Sequence, residues 1–139
     1  MRNIFLHYPR LSWPVDWVSV FGRAAPLLVE IGFGGGHFLV DLAQKRPWAN
    51  VLGVEISLPA IDRAQRKVST AGLSNVRLLQ SDARMLLQTL CAPETIAEVY
   101  INFPDPWPKA RQLHRRLINL EFLHLLATRM MHDGLLEIA

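Results

Sequence analysis

The chain has 139 residues, of which 50% are hydrophobic, and it carries a formal net charge of +3 with a pI of about 9.5. This length fits one domain with a substantial core, and the mild basicity permits a polyanionic partner without requiring one. A single cysteine, Cys91, excludes an intrachain disulfide and is expected of a protein in the reducing cytoplasm. Its apolar neighbours predict a small core residue.

Several other classes of protein are disfavoured by the sequence. No apolar stretch reaches the length of a membrane span, and Pro9 and Pro14 interrupt the N-terminal segment, so we expect neither a membrane anchor nor a signal peptide. The five histidines show no metal-ligand spacing, and we expect no metal site. We interpret residues 1–26 as an irregular N-terminal arm with a short helix near Asp16–Phe21, and residues 27–139 as one α/β domain.

The first regular pattern is Leu27–Gly36, with the sequence LLVEIGFGGG. Its short apolar run predicts a strand buried on both faces, and a helical pattern over 36–46 follows the glycines. Strand, glycine turn and helix begin a nucleotide-binding unit, in which Gly32, Gly34 and Gly36 would let a ligand approach the backbone. The alternative is an ordinary strand-to-helix turn that is rich in glycine.

The glycine spacing distinguishes between cofactors. A dinucleotide fingerprint would place its last glycine where His37 stands, which makes a nicotinamide dehydrogenase the least favoured enzyme. The spacing G-x-G-x-G preceded by an acid, Glu30, resembles the S-adenosylmethionine motif of class I methyltransferases. A carboxylate there suits a cofactor that carries a sulfonium and an ammonium.

Two later acids also follow predicted strands. Glu55 ends a strand over 51–55, about 20 residues beyond the glycines, where α/β folds place a carboxylate for ribose hydroxyls. Asp82 follows a strand over 75–80 and could bond an adenine amino group, cap the helix over 84–90, or do both. For Glu55 the alternative is an acid facing solvent.

The remaining elements predict a mostly parallel sheet flanked by helices, with right-handed crossovers. Ser57 and Gly72 bound a helix whose outer face carries Arg63, Arg66 and Lys67, which we expect to be solvated. A fourth strand spans 96–102, an amphipathic helix with Leu120 among its core candidates spans 117–131, and a fifth strand starts at 135.

The segment after the fourth strand is the second focus of the chain. In Phe103–Pro108 (FPDPWP), three prolines stiffen the backbone and hold Asp105 at the carboxyl edge of the sheet, where α/β ligands bind. Trp107 could stack on a base or lie buried. An uninterrupted basic run follows, a pattern that indicates either a nucleic-acid backbone contact or solvated surface. It contains Lys109, Arg111, His114, Arg115 and Arg116.

At these motifs the sequence resembles the bacterial tRNA (guanine-N7-)-methyltransferases. The resemblance rests on FGRAAPLLVEIGFGGG at 21–36, GVEIS at 53–57, SDA at 81–83 and INFPDPWPKARQLHRR at 101–116. It implies a Rossmann-like class I methyltransferase fold, S-adenosylmethionine as cofactor and tRNA as partner. It further implies that Glu30, Glu55, Asp82 and Asp105 contact the cofactor, that Asp105 is the catalytic residue, that Lys109 contacts substrate and that 111–116 faces RNA.

The chain departs from this family pattern in two ways. Gln112 and His114 stand where the family often has His and Lys, which would weaken RNA contact at neutral pH. The family also continues beyond the fifth strand, so we expect the last strands to be missing from this chain. Two alternatives therefore stay open, a methyltransferase acting on a small molecule and a non-catalytic RNA-binding relic.

Overall fold

A computed structural model of the chain describes residues 4–102 and 118–139. Six strands form one sheet in the order β1-β4-β3-β2-β5-β6, and every neighbouring pair is parallel. The strands are β1 Phe5–Leu6, β2 Leu27–Ile31, β3 Asn50–Glu55, β4 Val76–Gln80, β5 Ile96–Ile101 and β6 Met130–Ile138. The central strands β2 and β3 are buried almost throughout, which explains their continuous apolar runs. The predicted parallel α/β sheet is confirmed.

Helices cover both faces of this sheet. They are α1 Trp17–Phe21, α2 His37–Lys45, α3 Leu58–Ala71, α4 Ala83–Met85 with a π-helical continuation over Leu86–Leu90, and α5 Leu120–Arg129. A short 3₁₀ turn spans Tyr8–Arg10. One core cluster joins the sheet to α1, α4 and α5, and a second joins it to α2 and α3. Within the described ranges, no helix is both long enough and apolar enough to cross a membrane.

Helix α3 follows its sequence signals closely. The Ser57 hydroxyl accepts a hydrogen bond from the Ala60 N–H at 3.3 Å, and Gly72 ends the helix with φ of 67°. The apolar stripe packs inward, with four buried side chains: Ala60, Ile61, Ala64 and Val68. Capping residues and helical periodicity therefore predicted this element correctly.

Three features of the fold differ from the predictions. Phe5–Leu6, expected to be irregular, adds an edge strand beside β4. Leu120 is 73% exposed at the first position of α5, and the buried face of this helix carries Phe122 and Leu126 instead. Strand β6 begins at Met130, before the predicted start, and its pairing with β5 is irregular near that end.

Candidate functional site

The strand order reverses beside β2, because β3 lies on one side of it and β5 on the other. Open α/β sheets bind ligands at the carboxyl ends of strands where the order reverses. The carboxyl ends of β2, β3 and β5 bring Glu30, Glu55 and Asn102 to this edge, next to the glycine turn of residues 32–36. We call this edge the crevice.

The glycine turn has a backbone that side chains would disfavour. Gly32, Gly34 and Gly36 have φ of 71°, 56° and 87°. Among the described residues, a Cβ placed on Gly32 or Gly34 would meet no atom within 4 Å, whereas one on Gly36 would lie 2.9 Å from the Ala64 Cβ. The first two glycines thus leave open space, and the third lets α2 approach α3 closely.

Phe33 fastens the turn to the core. Phe33 lies between Gly32 and Gly34 in the sequence, and its buried ring packs on β3. Gly53 of β3 leaves room for this packing, since a Cβ there would lie 2.7 Å from the Phe33 Cδ2 and 2.6 Å from the Leu39 Cδ2. The turn is therefore positioned by a glycine at the centre of β3, a role that was not predicted from the sequence.

Glu55 links β3 to the turn through its carboxylate. Its Oε1 accepts from the Gly34 N–H at 3.1 Å, and its Oε2 accepts from the N–H groups of Ile56 and Ser57 at 2.8 and 2.9 Å. The carboxylate is therefore held by backbone amides rather than left free in solvent. Because a carboxylate offers about four lone-pair sites, it keeps capacity for a further donor.

Glu30 is a buried carboxylate with one unsatisfied oxygen. It is 1% exposed, and its Oε2 accepts from the Asn102 Nδ2 at 3.2 Å. Its Oε1 has no hydrogen-bond partner among the described residues. Burial raises the pKa of Glu30 to about 7, the Asn102 hydrogen bond opposes this rise, and the Glu55 charge adds to it. A buried acceptor without a donor is costly, so this position suits a ligand that brings a donor or a positive charge.

Lys67 lies at the turn rather than in solvent, and the prediction of a solvated side chain was wrong for this residue. Its Nζ donates to the Gly35 carbonyl oxygen at 2.6 Å, and the side chain is half-buried. A lysine can lay its long aliphatic stem along a neighbour and place the ammonium several ångströms away. Arg63 and Arg66 are exposed, as predicted.

Asp82 caps the first turn of α4. Its Oδ1 accepts from the Met85 N–H at 2.7 Å, which confirms the capping alternative. The Ser81 N–H donates to the Glu55 carbonyl oxygen at 3.2 Å, so the segment that carries Asp82 runs beside the end of β3. A contact between Asp82 and an adenine ring stays a prediction.

The residues predicted to act on the substrate lie outside the described part of the chain. These are Asp105, Lys109, Arg111, His114, Arg115 and Arg116. Cys91 lies inside it, buried as predicted, and burial raises the pKa of its thiol to about 12, which leaves it without nucleophilic character near neutral pH.

Two residues of this edge, Asn102 and Lys67, were not predicted from the sequence. Asn102 carried a signal, since it directly follows β5 and the register places Tyr100 opposite Glu30. The side chain of Asn102 then reaches Glu30 across the parallel pair. Lys67 carried no comparable signal, because its contact depends on how α3 packs against α2.

Comparison with known proteins agrees with this geometry. Residues 24–139 match the sequence model of the family Methyltransf_4, described as "Putative methyltransferase". The chain belongs to this family. The match contains both the glycine turn and the three strand ends that form the crevice.

Curated relatives carry a more specific name, tRNA (guanine-N(7)-)-methyltransferase. The protein so named from Thermotoga maritima is 43% identical over 133 residues, which is 96% of this chain and 42% of the relative. Those from Thermus thermophilus and Nitrosomonas eutropha are 44% and 40% identical, and this chain covers 39% and 56% of their lengths. The chain spans about half the length of the curated relatives it matches.

Solved structures share the fold. An antibiotic-related methyltransferase superposes with a TM-score of 0.68 at 18% identity, covering 88% of this chain and 61% of that one. A SAM-dependent methyltransferase from Aquifex aeolicus gives 0.63 at 21% identity with the same coverage. The predicted Rossmann-like methyltransferase fold is confirmed.

Proposed function

We propose that the protein containing this chain transfers a methyl group from S-adenosylmethionine to N7 of a guanine in tRNA. The observation that carries the proposal is the 43% identity, over 96% of the chain, to a protein named for that activity. The similarity extends over the described crevice as well as the segment 103–117. Because the proposed substrate is tRNA, we expect the protein to act in the cytoplasm.

The crevice fits the proposed cofactor. When bound, S-adenosylmethionine supplies an activated methyl group on a positively charged sulfur. The unsatisfied Oε1 of Glu30 can accept from a cationic group, and the open space over Gly32 and Gly34 admits a ligand close to the backbone. Glu55 retains lone pairs for ribose hydroxyls. Ile56, which is 66% exposed beside Glu55, offers an apolar surface to a flat ring.

The proposed reaction requires the protein to orient its reactants and does not require a general base. Guanine N7 has an exposed lone pair and no proton to lose, so it can attack the methyl carbon directly, in line with the departing sulfur. Orientation of the two reactants is then the main source of acceleration. We assign Asp105 to this task, either by accepting from the N–H edge of guanine or by holding the methionine end of the cofactor.

The basic run after Asp105 would bind the tRNA backbone. Lys109, Arg111, His114, Arg115 and Arg116 follow one another without an intervening acid. Contacts of this kind to phosphates supply affinity that decreases steeply with salt. Replacing Arg111, Arg115 and Arg116 by Gln should raise KM for tRNA at least tenfold with little change in cofactor affinity. A KM for tRNA that the substitutions leave unchanged would contradict this role of the basic run, whereas methyl transfer that is unaltered by them and does not depend on tRNA would favour a small-molecule substrate.

Nucleoside mass spectrometry tests the reaction itself. Unmodified tRNA is incubated with the chain and S-adenosylmethionine, with Asp105→Ala as the matched control. Formation of 7-methylguanosine by the unaltered chain would establish the reaction and show that the first strands suffice, while its absence would leave the family membership standing and move the question to cofactor binding. Asp105→Ala should form no product and should still bind S-adenosylhomocysteine in part. Equal loss of transfer and binding would make Asp105 a cofactor residue only. Failure of the unaltered chain to bind S-adenosylhomocysteine would favour the RNA-binding relic.

A further inference from the structure

Lys67 reaches the glycine turn from outside the crevice. It belongs to the middle of α3, and its Nζ donates to the Gly35 carbonyl oxygen at 2.6 Å. A Cβ on Gly35 would lie 3.6 Å from the same Nζ, so the ammonium packs directly against the turn. Nothing in the predicted chemistry of the crevice uses this residue.

The position of this ammonium is unfavourable by itself. Gly36 is the N-terminal cap of α2, and the partial positive charge at a helix N-terminus repels a cation. The side chain is also half-buried, so it gives up hydration and rotamer freedom. The contact with the Gly35 carbonyl must compensate for these losses, which indicates that the lysine stabilises the turn itself.

The glycines on either side of Gly35 have hydrogen-bond partners other than Lys67. Glu55 holds the Gly34 N–H at 3.1 Å, and the Gly36 N–H donates to the Phe33 carbonyl oxygen at 3.0 Å. Gly35 lies between two glycines at positive φ, and three consecutive glycines have a large conformational freedom to lose when the turn is fixed. Among the described residues, Lys67 is the side chain whose hydrogen bond reaches this peptide from outside the turn.

We propose that Lys67 is a positioning residue that holds the glycine turn in the conformation that binds the cofactor. The role rests on the proposed function insofar as the ligand is S-adenosylmethionine or its product. Its physical basis is preorganisation: a turn already fixed in the binding conformation loses less entropy when a ligand orders it. Lys67 would not touch the ligand.

Calorimetric titration with S-adenosylhomocysteine tests the role in binding. Lys67→Met keeps the stem and removes the donor, Lys67→Arg keeps a donor and the charge, and Arg63→Met is the control on the exposed side of α3. We expect Lys67→Met to weaken binding about tenfold, Lys67→Arg to recover part of the loss, and Arg63→Met to stay within twofold. Binding by Lys67→Met equal to that of the unaltered chain would overturn the proposal.

Amide hydrogen exchange without ligand separates this proposal from the proposed function. In Lys67→Met the amides of Gly34 and Gly36 should exchange at least fivefold faster, while amides in β3 keep their rates. Unchanged exchange at both glycines would overturn the role of Lys67 whatever the cofactor. If the unaltered chain does not bind S-adenosylhomocysteine but Lys67→Met still loosens the turn, the choice of cofactor fails and the positioning role stands.

Discussion

At the scale of single residues, Glu30 shows a conflict between stability and ligand binding. Its carboxyl is buried, its pKa is raised from 4.5 to about 7, and one of its oxygens has no partner in the described residues. A raised pKa means that folding favours the protonated form. The contribution of Glu30 to stability is therefore complete below pH 4.5 and is lost as the pH rises through 7. The ionised form is the one that a cationic ligand needs.

Glu30→Gln should remove this pH dependence of stability. Between pH 5 and pH 8 the unaltered chain should lose roughly 2–3 kcal/mol of unfolding free energy relative to the variant, as follows from the pKa rise. Asn102 can still donate to the amide oxygen, so the variant should fold. Urea denaturation at both pH values measures the difference. A variant that follows the same pH curve as the unaltered chain would show that Glu30 is not the titrating group.

Affinity for S-adenosylhomocysteine should change with pH in the opposite direction. Under the proposed function the ionised form of Glu30 faces the ammonium of this ligand, and a pKa of about 7 makes that form about one tenth populated at pH 6 and predominant at pH 8. We expect the dissociation constant to decrease close to tenfold from pH 6 to pH 8. Glu30→Gln should bind weakly with little pH dependence. A pH-independent affinity of the unaltered chain would contradict this pairing.

At the scale of elements, the glycine turn depends on the strand beneath it. Gly53 of β3 leaves room for the ring of Phe33, and Phe33 is flanked in the sequence by Gly32 and Gly34, the two glycines next to open space among the described residues. The strand and the turn were predicted from apolar runs and glycine spacing, which are local signals. Their dependence on each other was not, because a contact across the sheet leaves no periodic trace along the chain.

Gly53→Ala should therefore weaken cofactor binding from a distance. The added Cβ would lie 2.7 Å from the Phe33 Cδ2 and 2.6 Å from the Leu39 Cδ2, so both side chains must shift. Overpacking of this kind costs about 1–3 kcal/mol, and the displaced ring should disturb the turn. Gly72→Ala is the control: its φ of 67° strains the variant by about 1 kcal/mol, and its Cβ would meet no atom of residues 4–102 or 118–139 within 4 Å. Thermal unfolding and S-adenosylhomocysteine titration compare the two. Loss of stability without loss of affinity in Gly53→Ala would uncouple Phe33 from the site.

At the scale of the whole molecule, local signals predicted the central elements and missed the connections between distant ones. Caps and periodicity specified α3, and apolar runs specified β2 and β3. The edge strand β1 was missed, since two residues are too few for an alternating pattern and their pairing with β4 crosses more than half of the chain. The position of Lys67 was also missed, because its contact with Gly35 joins residues far apart in the sequence. At the crevice, the acids after the strands were predictable, while the partners that hold them depend on tertiary packing.

Arg77 shows how the N-terminal arm is joined to the sheet. It lies in β4 and is 2% exposed. Its Nε donates to the Val20 carbonyl oxygen at 3.3 Å and its NH1 to that of Val76 at 2.8 Å, while the guanidinium lies 5.1 Å from the centre of the Phe21 ring. The arginine thus bridges the end of α1 and the strand that pairs with β1.

Arg77→Met should loosen the arm and destabilise the fold. Methionine fills much of the same volume but removes the donor to the carbonyls of Val20, Ser74 and Val76, and a buried acceptor that loses its partner costs about 1–3 kcal/mol. Relief from burying a charge offsets part of this cost, so we expect a net loss of roughly 2 kcal/mol. Urea denaturation measures the loss, and limited proteolysis should show faster cleavage within residues 4–26. Arg66→Met, on the exposed face of α3, should change stability by less than about 0.5 kcal/mol. If Arg77→Met is as stable as the unaltered chain, the arm is held by the apolar packing of Trp17 and Phe21 rather than by this cation.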